Sequence, residues 1–160
     1  MGWRIMSIYL SAILLCVSAE NKPNSPYEAL QQYKFPAGLL PEGVTSYTLN
    51  ESSGEFSAHL NGSCSFTLEN SYELRYEPVM KGLISRGWLK KLSGVSVRVV
   101  LLWLDVVEVK RNGESLEFSV GFKSADFPVE NFEECPRCGC GFDCGNGDGK
   151  VGVLGNWLSS

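Results

Sequence analysis

Histidine is nearly absent from this chain of 160 residues, which holds only His59. Acid–base and nucleophilic mechanisms lean on histidine, or on a perturbed acid beside a nucleophile, so the usual catalytic groupings have little to draw on. His59 falls on the polar parity of its segment, where a solvated surface role is the plain expectation. No Gly-x-Ser-x-Gly elbow, His-Glu-x-x-His motif or phosphate-cradling glycine loop occurs. Positive charge is also scarce: 14 Lys and Arg face 18 Asp and Glu, a formal charge of −4 with the signs interspersed. Capture of nucleic acid or an anionic membrane by charge alone is thereby excluded, since both need clustered cations. Long apolar runs are missing too. None reaches the roughly twenty residues that a membrane-crossing helix requires.

The longest such run, Ile5 to Val17, follows Arg4 and leads into Val17-Ser18-Ala19, small residues suited to cleavage before Glu20. Residues 1–19 therefore read as a signal peptide, and the protein as exported without a transmembrane anchor. Its removal takes away Arg4, making the balance one unit more negative, and Cys16, one of six cysteines. The remainder has the length of a single domain with a full core. Asn50-Glu51-Ser52 and Asn61-Gly62-Ser63 are sequons in polar breaks between strand-like runs, with Asn50 in the longer loop. Cys64 stands apart from the group Cys135, Cys138, Cys140 and Cys144, which an oxidising compartment would turn into disulfides. Within that group, 135 with 138 and 140 with 144, or 135 with 140 and 138 with 144, are open. Alternatively Cys64 reaches the group and leaves one of its thiols free.

Ser25-Pro26-Tyr27-Glu28 carries the signals of a helix start: a serine cap, proline at the first helical position and glutamate closing a capping box. Tyr27, Leu30 and Tyr33 give that helix an apolar face. After the turn Leu39 to Gly43, the period becomes two. Tyr47 and Leu49, then Phe56, Ala58 and Leu60, then Phe66 and Leu68, then Tyr72, Leu74 and Tyr76 alternate with polar residues, as expected of antiparallel strands in a meander. Arg111-Asn112-Gly113-Glu114 reads as a hairpin joining Val107 and Val109 to Leu116, Phe118, Val120 and Phe122, with Asn-Gly in a type I′ turn. Val95 to Leu104 is apolar on both parities toward its end, which predicts one strand whose second half is covered on both faces, the Leu30 helix packing outside it; a buried helix is the alternative, but the run of valines and Ser93-Gly94 favour a strand. The fold class expected is mainly β: an antiparallel β-barrel-like domain over 25–133 with one short helix, either a barrel or a strongly curled sheet closed by that helix, then a cysteine-rich segment 134–144 and a glycine-rich disordered tail 145–160.

Candidate sites are few. Cys64 shares parity with Phe66 and points inward as a small hydrophobe. A metal held by the four clustered cysteines would draw every ligand from one short loop, unlike structural zinc sites, so disulfides are the better reading. No catalytic, cofactor or metal residue is assigned, and no cofactor is implied. Tyr47, Phe56, Phe66, Tyr72, Tyr76, Trp103, Phe118 and Phe122 line the expected interior, as a filled aromatic core or as a pocket for an apolar ligand, the filled core being favoured.

Gly38-Leu39-Leu40-Pro41-Glu42-Gly43-Val44, Arg75-Tyr76-Glu77-Pro78 with Gly82 and Ile84, Leu92-Ser93-Gly94-Val95 and Phe127-Pro128-Val129-Glu130-Asn131-Phe132 occur in this order. Together they resemble the plant family called domain of unknown function 538, from about Tyr27 to Phe132, the cysteine-rich ending resembling one branch of it. The resemblance implies a plant protein, a single β-barrel-like domain, and a likeness to lobes of bactericidal/permeability-increasing lipid-binding proteins. It supplies no catalytic residues. The family is associated with stress responses, endomembrane function and trichome growth, and with suggested hydrolysis of lipid, pigment or polysaccharide. The expected function is non-enzymatic binding of a lipid or other apolar small molecule in the secretory pathway, in the apoplast or an endomembrane lumen. A weak ester hydrolase and a disulfide-stabilised interaction protein of the cell wall or endoplasmic reticulum are the alternatives. Expression in a eukaryotic secretory host should yield a chain beginning at Glu20 that loses mass on glycosidase treatment, read by terminal sequencing and gel mobility. An intact leader and unchanged mobility would contradict export.

Overall fold

The structure, a computed structural model, describes residues 22–68 and 72–139, with the backbone alone at 67, 68 and 72. The leader, Cys140, Cys144 and the tail 145–160 lie outside the described residues. The helix begins where the capping signals put it: α1 is Pro26–Gln32, with the Glu28 amide donating to Ser25 Oγ at 3.1 Å. The Glu28 carboxylate accepts from Asn24 N at 2.8 Å, one residue before the cap. Pro26, Ala29 and Leu30 are its buried residues, so the face is rotated slightly from Tyr27 and Tyr33, which stay half-exposed. Leu30, 1% exposed, contributes about 2 kcal/mol by leaving water.

Among the described residues nine strands form one antiparallel sheet. They are β1 Val44–Leu49, β2 Glu55–Leu60, β3 Cys64–Leu68, β4 Tyr72–Ser85, β5 Trp88–Val99, β6 Leu102–Asp105, β7 Glu108–Asn112, β8 Ser115–Ser119 and β9 Ser124–Pro128. The long strands β4 and β5 pair with each other, and each carries two short strands on its other side. Glu55 to His59 lie opposite Leu83 to Val79, and Cys64 to Leu68 opposite Tyr76 to Tyr72, so β2 and β3 are one line interrupted at Asn61–Ser63. Likewise β6 and β7 follow one line along β5, interrupted at Val106–Val107. With those breaks joined, the sheet is a meander in chain order, as the alternation predicts.

Several expectations need correction. The sheet is not closed: β1 and β9 are its edges. The gap is crossed by helical segments instead. Helix α1 packs on β1 and on the 3₁₀ turn Ala37–Leu39, which packs on a second 3₁₀ turn, Val129–Phe132, that follows β9. The helix therefore does not cover Val95–Leu104 from outside; Leu30 joins the core that includes Phe56, Met80, Ile84, Leu89, Val109 and Leu116. Nor is Val95–Leu104 one strand. A turn at Val100-Leu101 divides it into β5 and β6, with Val99 paired to Leu102. Apolar residues stand on both parities because the run folds back on itself, not because both faces are covered. The hairpin at 111–114 exists, but Asn112 pairs with Ser115 and leaves Gly113-Glu114 as the loop. Gly113 has φ 63° and is the only one of the two with positive φ, which suits glycine at the first position of a type II′ turn rather than type I′.

Two glycines hold the packing together. At Gly94 (φ +84°) a Cβ would sit 2.3 Å from Val79 O, where β4 and β5 approach closely beside the register shifts at Tyr76 and Lys81. At Gly38 it would sit 2.2 Å from Glu134 O, because the chain after the second 3₁₀ turn crosses directly over the first. That crossing segment runs on to the free edge of β3. Pro136 O accepts from Glu42 N at 2.9 Å, Gly139 N donates to Ser65 O at 2.8 Å, Arg137 Nε meets Glu42 Oε2 at 3.0 Å, and Cys138 is bonded to Cys64. Both tail-only pairings would use Cys138 elsewhere, so the structure departs from them. Cys64 is buried as its parity predicts, yet it is a bridge and not a lone hydrophobe.

The bridge joins positions 74 apart, a loop for which the chain-entropy model gives about 4 kcal/mol. Cys138→Ser should lower the free energy of urea unfolding by up to about that amount, and reductant should destabilise the parent chain without affecting the variant.

Candidate functional site

At the far ends of β4 and β5 the sheet narrows to an arm of four strands, β3, β4, β5 and β6. Alternation gives the arm two unlike faces. On one lie Cys64, Phe66, Tyr76 and Val97, all buried, with Leu74, Val99 and Leu104 half-buried beyond them. On the other, Arg98 Nη1 meets Glu73 Oε2 at 3.2 Å, and the Arg75 guanidinium lies 3.9 Å above the Trp103 ring. The apolar face continues to the tip, where cover ends: Val100, Leu101 and Leu102 are 71%, 78% and 68% exposed. Val100 has φ 59°, the left-handed region that a β-branched side chain adopts only at a cost in energy.

β5 and β8 both run antiparallel to β7, but β7 pairs only with Trp88 and Leu89 at the start of β5, so the turn after β8 lies far along the sheet from the tip after Val99. The β8–β9 turn carries Phe122, 74% exposed, beside Lys123. Phe122 thus leaves the interior to which strand alternation assigns it, because β8 stops at Ser119 and Gly121 (φ 95°) turns the chain. Trp103 leaves it too, standing on the Arg75 face. The interior itself is filled by packed rings. Phe66 stacks on Tyr76 with centroids 6.0 Å apart, and Phe118 lies 5.3 Å from both Phe127 and Phe132. Tyr47 is half-buried, and the Tyr72 side chain lies outside the described residues.

A second feature lies on the polar face at the opposite region of the sheet, an open depression of about 510 Å³ lined by Thr48, Asn50, Phe56, Ser57, Lys81 and Lys91, among others. Thr48 Oγ1 and Ser57 Oγ are 2.8 Å apart, and Ser57 Oγ is 3.4 Å from His59 Nε2. This hydroxyl–imidazole row comes from two residues one position apart on the same strand face; their shared parity was the signal available in the sequence. Asn50 and Asn61 are both exposed, in the β1–β2 turn and the β2–β3 break. Asn50 Oδ1 accepts from Ser52 N at 3.1 Å and Ser53 N at 3.3 Å.

Three tyrosines secure the N-terminal segment across the sheet edge. Tyr27 donates to Pro41 O at 2.9 Å, Tyr47 to Pro23 O, and Tyr76 to Leu39 O at 3.4 Å. Burial raises the pKa of each above the ordinary phenolic value, most of all for Tyr76, where the nearby Cys135 thiol acts in the same direction. Cys135 is free and half-buried, its Sγ 3.6 Å from Ala37 O; burial and then Glu42 raise its pKa, keeping it a thiol.

An open antiparallel meander, strapped edge to edge by helical turns, defines a mainly β domain. Over residues 26–133 the chain matches the model of the family described as Protein of unknown function, DUF538, and it belongs to that family. No curated protein matches it. The second 3₁₀ turn closes the matched region, so the disulfide-bearing segment that crosses Gly38 lies beyond it.

The tyrosine shifts set an alkaline limit. A phenol whose folded pKa is raised leaves stability flat below about pH 10, the unfolded value; above it the unfolded chain loses protons that the folded chain retains, so stability falls. Urea unfolding should show this loss above pH 10, and Tyr76→Phe should be less stable at pH 7, for want of the bond to Leu39, but flatter with alkali.

Proposed function

We propose that this is a non-enzymatic protein of the secretory pathway that binds an apolar, lipid-like ligand at the open end of its sheet. The observation that carries the reading is the β5–β6 tip: Val100, Leu101 and Leu102 expose large apolar surface at the end of the four-stranded arm, where a soluble domain ordinarily buries or breaks such residues. Packed rings within the sheet favour contact at this end over enclosure within a barrel. The leader, the two exposed sequons at Asn50 and Asn61 and the Cys64–Cys138 bridge support passage through an oxidising compartment. No helix among the described residues is long and apolar enough to cross a membrane. The resemblance to a plant family associated with stress and development supplies the biological setting.

Ester hydrolysis is the second reading, because Ser57 and His59 are in contact. It is the weaker one. A nucleophile needs its base held by a third group and donors placed for an oxyanion, and here the contact is 3.4 Å long and only Ser57 of the pair lines the open depression.

Mature protein incubated with membrane lipid extract and repurified should carry lipid detectable by mass spectrometry, and Ser57→Ala should carry the same amount. Lipid-free protein after incubation would defeat the binding reading. Turnover of a short-chain nitrophenyl ester abolished by both Ser57→Ala and His59→Ala would establish the hydrolase in its place.

A further inference from the structure

The exposed tip of the β5–β6 hairpin has a shape and composition that the fold does not need. A two-residue connection with positive φ at its first position is best served by glycine, and the chain does place glycine at the equivalent position of the β7–β8 turn. At the β5–β6 turn the residues are Val100 and Leu101, and Val100 takes φ 59°. The turn thus holds a backbone conformation unfavourable to its side chain and displays three successive aliphatic groups to water. A convex tip of this kind cannot be capped by the concave face of its own sheet. It suits a medium into which it can be pushed.

From the arrangement behind the tip we infer that the hairpin inserts into the interfacial region of a lipid bilayer, docking the domain on a membrane surface. Trp103 follows Leu102 directly, and Arg75 lies 3.9 Å over its ring. An aromatic ring and a cation just behind an apolar point match the layering of a bilayer, where indole rings and guanidinium groups sit at headgroup depth. On the same face Arg98 neutralises Glu73 at 3.2 Å, and Asp105 stands level with Arg75, two strands away across Ser96. Arg75, in no ion pair among the described residues, is the cation available to phosphate. With so few cations, apolar insertion carries the binding and anionic lipid adds to it modestly. This docking rests on the apolar-ligand reading above and specifies it as a lipid surface.

The test is flotation of the purified mature chain with vesicles of phosphatidylcholine, and with vesicles of three parts phosphatidylcholine to one part phosphatidylserine. The wild-type chain should float with both, more with the second. Val100→Gly combined with Leu101→Asn installs residues the turn prefers, so the fold should melt at the same temperature or higher. Vesicle affinity should nevertheless fall about a hundredfold, roughly tenfold or more for each apolar side chain withdrawn. Arg75→Gln should reduce the preference for the anionic vesicles about fivefold. A wild-type chain that stays with neither vesicle, or a double variant that floats as well as wild type, overturns the inference. So does light scattering that shows a dimer dispersed by the double variant, since the tip would then meet a second copy. Uptake of single lipid molecules without flotation would sink membrane docking and leave the proposed function standing; failure of both assays would remove both.

Discussion

The pairing of β4 with β5 is the constraint on which the rest depends. Among the described residues these are the two long strands, and each carries two short ones, so the other strands take their positions from this hairpin directly, through one neighbour or, for β9, through two. The pair is not regular. Its register shifts between Tyr76 and Leu83, and at that place Gly94 lets the backbone of one strand come against Val79 of the other. Such bulges bend and twist a strand pair, and the curl they impose allows a short helix and two 3₁₀ turns to bridge edges that would otherwise lie open. The Cys64–Cys138 bridge then fastens the end of that strap to the free edge of β3.

The same hairpin explains why the two ends of the domain differ. Where β1, β2, β4, β5, β7 and β8 lie side by side, the inner face is covered by Leu30 and the strap. Past the bulge, among the described residues, only the four-stranded arm continues, and at its tip Leu102 is 68% exposed. Apolar surface there is a consequence of strand length exceeding the reach of the covering segments. Water would ordinarily select against it. Its persistence at a turn whose backbone would favour glycine is what turns a packing detail into a functional argument.

Much of this was legible in the residues. The helix start could be read because Ser25, Pro26 and Glu28 act over three or four positions, within the range of local hydrogen bonds. Strands β1, β2, β3 and β8 could be read because one face of each is covered and the other wet. Residues 77–94 gave no alternation: the bulges break the period of two, and Pro78, Gly82 and Gly94 look like turn residues although they lie within or between paired strands. The hairpin tip at Val100-Leu101 was hidden for the opposite reason, having neither glycine nor asparagine to mark it. Ser57 and His59 shared a visible parity, but only the rotamers of an exposed strand face bring them into contact.

Taken alone, the sequence determined the elements whose causes are local: the cap, the alternating strands, the chain-order meander and the family motifs around Gly38, Tyr76 and Phe127. Tertiary structure decided what depends on partners distant along the chain. Among these are which cysteine meets Cys64, why Gly38 can carry no side chain, whether the sheet closes, and which stretch of the apolar run Val95–Leu104 remains in water. The physical reason is range. Hydrogen-bonded caps and strand pleats are settled within a few residues, whereas cover, closure and cross-linking are fixed only when segments some seventy positions apart are packed against each other.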